Sequence, residues 1–278
     1  MAKEHPEPIQ SLLDQILEGL KRQQKNQQDA TQTASESANM GNSYSSKEPI
    51  DCPKCRNLGC VPNPSDPERW QDCECVPLRK AWRAIKRSGL AEEIERCTFE
   101  TYETPDLWMR ELLASARAYT ESILAGKKGW FLALGQSGSG KTHLCTAICG
   151  ELLRAGKQVQ YVSWRNLLIK GKQRFDSEAG SENTEYIEAL KVTPVLYIDD
   201  LFKGKTSEAD DALVFELLND RLIRKLPTLI SSELSVEQLL NRDEATGSRM
   251  IEMAKREGQL AIIPRNRSKN YRIAGLKV

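Results

Sequence analysis

The chain from about residue 98 onward alternates between two hydrophobic patterns. Short apolar runs, which are typical of buried strands, span residues 130–134, 158–163, 194–198, 228–231 and 259–263. Between these runs apolar residues recur at spacings of three and four, which predicts helices at 107–125, 141–155, 209–225 and 235–241. Such alternation of strands and helices predicts an α/β domain whose parallel sheet is covered by helices.

The preceding residues do not alternate in this way. Six apolar residues at helical spacing predict an amphipathic helix within residues 1–25. Residues 26–49 are rich in Gln, Ser, Thr and Asn with few large apolar side chains, so they are predicted to form a flexible linker. Residues 50–96 contain five of the eight cysteines, followed by a basic helical stretch. The α/β domain is assigned to residues 97–278.

Composition narrows the classes of function. The 278 residues include 40 Lys and Arg against 39 Asp and Glu, so any surface that binds nucleic acid must be local. No stretch approaches the roughly 18 apolar residues of a membrane span, and the first ten residues lack the pattern of a secretion signal. A cytoplasmic protein without membrane association is therefore expected. In that reducing compartment the cysteines are not expected to form disulfides.

The sequence GQSGSGKT, residues 135–142, follows a predicted strand and precedes a predicted helix. In this context it is typical of a phosphate-binding loop, in which backbone amides and a helix N-terminus bind the phosphates of ATP or ADP. Lys141 is predicted to reach the β and γ phosphates, and Thr142 to hold Mg²⁺. For His143, packing against its helix is favoured over a role as general base. The predicted nucleotide-binding residues of this segment are Gly135, Gln136, Ser137, Gly138, Ser139, Gly140, Lys141, Thr142 and His143.

A second motif supports this interpretation. Residues 195–198 form an apolar run that ends in Asp199 and Asp200, as expected of the Walker B strand in phosphate-loop ATPases. Asp199 is predicted to hold Mg²⁺ through water, and Asp200 to orient the attacking water. The two motifs together predict an enzyme that hydrolyses ATP.

Four cysteines form two close pairs, Cys52 with Cys55 and Cys73 with Cys75. Two such pairs separated by a loop have the spacing of a tetrahedral zinc site, and few large apolar residues surround them. We therefore predict a structural Zn²⁺ that supplies most of the folding free energy of this module. An iron–sulfur cluster and unligated structural cysteines are the alternatives. Cys60 belongs to neither pair, although it is an alternative to Cys75 as the fourth ligand.

The motifs resemble those of the DnaC/DnaI group of bacterial and phage replicative-helicase loaders, within the AAA+ ATPases. The resemblance runs from Asp51 nearly to the end of the chain, through DCPKC, CEC, RSGL, TFETY, GQSGSGKTHL, VLYIDDLFKGK, FELLNDR, PTLISSELS, GSRM and NYRI. It implies that a zinc-bearing or helical N-terminal module grips the hexameric helicase. It also implies that the ATPase domain oligomerises and binds single-stranded DNA.

The resemblance assigns further roles. Arg249 in GSRM matches the arginine finger that reaches a neighbouring subunit's γ-phosphate, and Arg272 in NYRI matches the sensor-2 arginine, which contacts the subunit's own nucleotide. Two departures favour a slow, switch-like ATPase: Asp200 stands where a longer Glu is usual, and Ser231-Ser232-Glu233 replaces a sensor-1 triplet that typically ends in Asn. Either Ser232 makes the polar contact to phosphate, or Glu233 slows hydrolysis by repulsion. The chain also has little room for the helical lid of many AAA+ proteins.

Two basic segments are candidates for binding single-stranded DNA. Residues 202–205, Phe-Lys-Gly-Lys, are predicted to form a flexible loop that joins an aromatic ring to two cations. Residues 249–278 contain eight basic and two acidic side chains. An alternative function is a transposition helper ATPase of the IstB kind, and another is an adaptor that binds nucleotide with little hydrolysis.

Overall fold

The computed structural model of this protein describes residues 88–174 and 180–273 continuously. Nearer the N-terminus it describes residues 52, 54–56, 58–64, 66–73, 75, 76, 79 and 83. The helix predicted within residues 1–25, the linker at 26–49 and most of the basic helical stretch lie outside the described residues. The chain divides into two compact units, residues 1–84 and residues 85–278.

The smaller unit contains an antiparallel hairpin that its Cys- and Pro-rich sequence did not predict. Strand β1 (Cys60–Asn63) pairs with β2 (Asp66–Asp72), and the register shifts after Pro62. Among the described residues of this unit, the buried centre consists of Cys55, Cys73 and Cys75, with Val61 and Val76 packed against it, so thiols occupy the place that large apolar side chains fill in an ordinary core. A centre of this kind buries little apolar surface and needs another source of stability.

The larger unit is built on a five-stranded parallel sheet, as predicted. Its strands are β3 (Trp130–Gly135), β4 (Val159–Ser163), β5 (Val195–Asp199), β6 (Thr228–Ser232) and β7 (Gln259–Ile263). Their order across the sheet is β4-β5-β6-β3-β7. Because β6 lies between β3 and β5, the carboxyl end of β6 lies between the segments that follow its two neighbours.

Eight α-helices surround the sheet within the described residues. They are α1 (Glu93–Arg96), α2 (Leu107–Leu124), α3 (Lys141–Arg154), α4 (Trp164–Gln173), α5 (Gly180–Val192), α6 (Glu208–Ile223), α7 (Val236–Arg242) and α8 (Glu244–Glu257). Two 3₁₀ turns follow β7, at Arg267–Lys269 and Tyr271–Ile273. The helices predicted from periodicity correspond to α2, α3, α6 and α7.

The core contains a fully buried arginine. The side chain of Arg221 on α6 is fully buried, and its guanidinium donates hydrogen bonds to the carbonyls of Leu190, Thr193 and Pro227 and to the Thr228 hydroxyl. Burial lowers its pKa to about 9. These bonds connect the end of α5 to the start of β6. The guanidinium supplies the hydrogen-bond donors that these carbonyl groups would otherwise need from the backbone.

Two further cysteines lie in the core. Cys145 and Cys149 are fully buried on α3, where they serve as small apolar side chains on a buried helix face. Among the described residues, none of the helices has the length and apolar character needed to cross a membrane.

Candidate functional site

The predicted phosphate loop follows the buried strand β3 and runs directly into α3. Gly138 and Gly140 have left-handed backbone conformations, with φ of +70° and +84°. A Cβ atom at Gly138 would lie 2.0 Å from the Asn270 side-chain oxygen, so a larger residue there would have to displace that side chain as well as adopt a strained backbone. Strand, glycine turn and helix start are therefore arranged as a phosphate-binding loop requires.

Lys141 and Thr142 occupy the first turn of α3. The Lys141 ammonium donates to the carbonyl oxygens of Gly135 and Gln136, at 3.0 and 2.6 Å. Burial lowers its pKa, while the carboxylates of Glu233 and Asp200 oppose that shift. Both carboxylates are thus within electrostatic range of the cation predicted to meet the β and γ phosphates.

Asp199 ends the buried strand β5 and is surrounded by hydroxyl groups. Thr142 Oγ1 donates to Asp199 Oδ1 at 3.1 Å, so the two residues predicted to share Mg²⁺ are in contact. Tyr197 and Ser231 donate to the same oxygen, at 2.6 and 2.5 Å, and the Tyr161 hydroxyl lies 3.5 Å from Oδ2. Hydroxyl and carboxylate oxygens are the ligands that Mg²⁺ prefers, and the surrounding hydroxyl donors fix the orientation of the Asp199 carboxylate.

Sequence reasoning missed this shell of hydroxyl donors. Tyr197 lies two residues before Asp199 on the same strand, and side chains two apart share a face of a sheet. That signal was available in the sequence. The contribution of Ser231 depends on the strand order, which places the end of β6 beside β5.

Asp200 follows directly in a left-handed conformation, with φ of +56°. Its backbone N–H donates to Ser231 Oγ at 3.0 Å, and its carboxylate accepts a hydrogen bond from the Lys203 ammonium at 2.8 Å. A non-glycine residue in this conformation is strained and persists only where its surroundings enforce it. The turn directs Asp200 into the same cavity as the phosphate loop.

The last two residues of the unusual triplet at the end of β6 point in different directions. Ser232 is fully buried and its hydroxyl donates to the Leu201 carbonyl at 2.7 Å, away from the phosphate loop. Glu233 instead enters the site, where its carboxylate accepts a hydrogen bond from the phosphate-loop residue Ser137 at 2.8 Å.

The aromatic ring of residues 202–205 is not exposed for stacking on DNA, contrary to the prediction. The Phe202 ring is only 5% exposed; it packs edge-on against Trp164 and lies under the guanidinium of Arg242. Its neighbour Lys203 pairs with Asp200 and with Glu233, the latter at 3.1 Å. Phe202 therefore belongs to the core of the domain, and Lys203 belongs to the candidate nucleotide site.

A cavity of about 720 Å³ adjoins the loop, and its lining comes from several segments. His143 contacts an earlier segment of the chain, not its own helix as predicted: its Nε2 lies 2.8 Å from the Thr98 carbonyl oxygen, and its ring meets that of Tyr102 edge-on. On the other side, the Tyr271 backbone N–H donates to the Gly138 carbonyl at 2.9 Å, and Arg272 lines the cavity. The residues around 98–102 and 270–272 therefore complete the pocket on both sides of the phosphate loop.

Arg249 lies elsewhere, on the exposed face of α8. Its guanidinium donates to the Asn219 side-chain oxygen at 2.7 Å and lies 5.6 Å from the centre of the Phe215 ring. Arg249 is not part of the described lining of the nucleotide cavity. This placement agrees with a role toward a neighbouring subunit rather than toward its own nucleotide.

The basic residues near the C-terminus make varied contacts. Arg256 forms ion pairs with Glu252 and Glu257, the two acidic residues of this segment. Arg265 donates to the Glu233 carbonyl, and the Lys269 ammonium lies 5.2 Å from the centre of the Trp108 ring. Part of the predicted positive charge is therefore engaged within the domain.

The two cysteine pairs meet in the smaller unit. The thiols of Cys52, Cys55, Cys73 and Cys75 all lie within 4.8 Å of one another. The Cys52–Cys73 and Cys55–Cys75 sulfur distances are 3.8 and 3.5 Å, and a tetrahedral site with Zn–S bonds of about 2.3 Å needs sulfur separations of about 3.8 Å. The backbone N–H of Gly59 also donates to Cys55 Sγ at 3.3 Å. The four residues fit a structural zinc ion.

Cys60 does not belong to this cluster. It lies on β1 opposite Asp72, and the described group of potential metal ligands contains only the other four cysteines of the smaller unit. The four cysteines predicted as ligands from the two close pairs are therefore the four that the fold brings together.

The parallel sheet, the phosphate loop after β3 and the carboxylates after β5 define an ATP-binding domain of the AAA+ class. Residues 117–252 match the family model described as IstB-like ATP binding protein. Among curated proteins, the phage-like element PBSX protein XkdC of Bacillus subtilis (strain 168) is 32% identical over 73% of this chain and 79% of its own length. The replicative helicase loader DnaC of Escherichia coli (strain K12) is 26% identical over 70% and 78%.

Solved structures agree on the fold. The crystal structure of the DnaC helicase loader superimposes with a TM-score of 0.52 at 18% identity, over 62% of this chain and 99% of that one. The family model and the sequence relatives identify the chain as a member of the IstB/DnaC-like family of AAA+ ATP-binding proteins.

Proposed function

We propose that this protein loads the replicative DNA helicase in an ATP-dependent manner. The observation that carries the proposal is the joint presence of a phosphate loop beside two carboxylates and a four-cysteine module in a chain related to a protein named as a helicase loader. The AAA+ domain binds ATP with Mg²⁺, binds single-stranded DNA and self-associates. The N-terminal module, with its zinc, holds the hexameric helicase.

The geometry of the cavity supports the following proposed residue roles. Lys141 and the amides of the phosphate loop bind the phosphates, and Thr142 with Asp199 holds Mg²⁺. Asp200 orients the attacking water, while Arg272 reaches the bound nucleotide from the C-terminal side. A carboxylate shorter than Glu at position 200 and an acidic residue at position 233 support slow turnover, because each weakens the stabilisation of the transferring phosphate.

Lys141→Ala is expected to abolish ATP binding, because the phosphates lose their buried cation. Asp200→Asn is expected to keep ATP binding and to lose at least tenfold in turnover, since the amide holds the water but does not accept its proton. Nucleotide titration and phosphate release, each with and without single-stranded DNA, measure both effects. Equal turnover in Asp200→Asn and the parent would contradict the assignment.

The same assay separates the loader from an adaptor without hydrolysis. A loader of this design turns over ATP slowly, and single-stranded DNA changes the rate because the AAA+ domain responds to both ligands. A parent protein that binds ATP tightly but releases no phosphate under either condition would support the adaptor. The family also includes IstB-like proteins. For such a transposition helper the expected partner is a transposase, and the four-cysteine module favours the loader.

A further inference from the structure

Four side chains form a continuous hydrogen-bonded chain across the candidate ATP site. Ser137 of the phosphate loop donates to Glu233, whose Oε1 also accepts from the Lys203 ammonium at 3.1 Å. Lys203 in turn donates to Asp200 Oδ2 at 2.8 Å. All four residues line the same cavity. The phosphate loop is therefore connected to the proposed water-orienting carboxylate through one acidic and one basic side chain.

The fold holds Lys203 in this position. The backbone N–H of Lys203 donates to the Asp200 carbonyl, and that of Leu201 to the Ser231 carbonyl, at 3.0 and 2.8 Å. Together with the buried Phe202 ring, these bonds fix the turn after β5 to the end of β6. Lys203 is thus presented by an anchored turn, and its side chain is half exposed on the cavity side.

The negative charges of Glu233 and Asp200 explain why a cation is needed at position 203. Partial burial acts to raise the pKa of Glu233, but the hydrogen bond from Ser137 and the ammonium of Lys203 outweigh it and hold the pKa below its usual value. Glu233 is therefore a carboxylate in the neutral pH range, beside a loop built for phosphate. Together with Asp200 it brings two negative charges within range of Lys141, and like charges at such distances repel a terminal phosphate.

We propose that Lys203 is a positioning residue for ATP, which neutralises Glu233 beside the terminal phosphate and orients the Asp200 carboxylate. The proposal rests on the ATPase function proposed above. In this arrangement the Glu233–Lys203 pair takes the place of a neutral polar side chain at the end of β6. The pair makes the site's preference for ATP over ADP depend on one lysine.

The test compares ATP and ADP affinities in the full-length protein. Lys203→Met is expected to weaken ATP binding about tenfold while ADP binding changes little, since one uncompensated charge near the terminal phosphate has an effect of that order in a partly solvated site. Adding Glu233→Gln to Lys203→Met is expected to restore most of the ATP affinity. Lys205→Met is the matched control, because it removes the same charge from the same loop, and the described contacts of Lys205 include neither carboxylate.

Two outcomes would overturn the proposal. One is an equal loss of ATP and ADP affinity in Lys203→Met; the other is a double variant that binds ATP as poorly as the single one. Thermal unfolding of each variant, compared with the parent, shows independently of the titration whether the domain is folded. A parent protein that fails to bind ATP would instead refute the proposed function.

Discussion

Arg249→Ala is expected to lower ATP turnover by roughly 10³- to 10⁵-fold, the range associated with arginine fingers in related phosphoryl-transfer sites. The guanidinium is exposed on α8 and is held toward Asn219, outside the described lining of its own subunit's cavity. We therefore propose that it acts on the nucleotide of a neighbouring subunit. ATP affinity of the isolated chain is expected to stay unchanged, which distinguishes this variant from Lys141→Ala.

Mixing the two variants tests action between subunits. A Lys141→Ala subunit still offers its finger, and an Arg249→Ala subunit still offers its phosphate loop, so mixed oligomers should regain activity at hybrid interfaces. The control is each variant alone at the same total concentration. If verified mixed oligomers remain as inactive as either variant alone, Arg249 is not the finger.

Removal of zinc from the N-terminal module is expected to unfold that module while the AAA+ domain stays folded. Structural zinc in small modules supplies on the order of 10 kcal/mol of folding free energy, and the buried centre of this unit consists of thiols rather than large apolar side chains. One Zn²⁺ per chain is expected by elemental analysis. The double variant Cys73→Ser with Cys75→Ser is expected to lose it.

Cys60→Ser is the matched control for this prediction. Cys60 lies in the same small unit but outside the cluster, so its replacement should leave the zinc content at one per chain. Limited proteolysis should then cleave the N-terminal module only in the double variant. Full zinc retention after loss of Cys73 and Cys75, or equal zinc loss in Cys60→Ser, would contradict the ligand assignment.

Much of the sheet was predictable because its signals are local. Each strand of the larger unit is a short apolar run, so the predicted spans agree with the observed ones to within about one residue. Helices α4 and α5 were missed for a different reason. Helix α4 begins at the residue after β4, so the strand and helix patterns merge, and α5 has only a few buried apolar side chains among polar ones.

In the candidate site, too, some residues were predictable from local motifs, whereas other contacts depend on the fold. Lys141, Thr142 and Asp199 belong to motifs whose spacing carries the chemistry, and the two cysteine pairs do so for zinc. The contact of Ser137 with Glu233 joins residues 96 positions apart, and it depends on β6 lying between β3 and β5. The burial of Phe202 depends on its packing against Trp164, which local composition does not encode.

Retention of the cognate replicative helicase by the full-length, zinc-loaded protein tests the central proposal most directly. The immobilised protein is incubated with the helicase and single-stranded DNA in the presence of ATP or ADP, with the Cys73→Ser, Cys75→Ser double variant as control. The loader account predicts that the helicase is retained in either nucleotide by the parent and lost in the double variant, while retention of single-stranded DNA is stronger in ATP than in ADP. A zinc-loaded parent that retains no helicase in either nucleotide would contradict it.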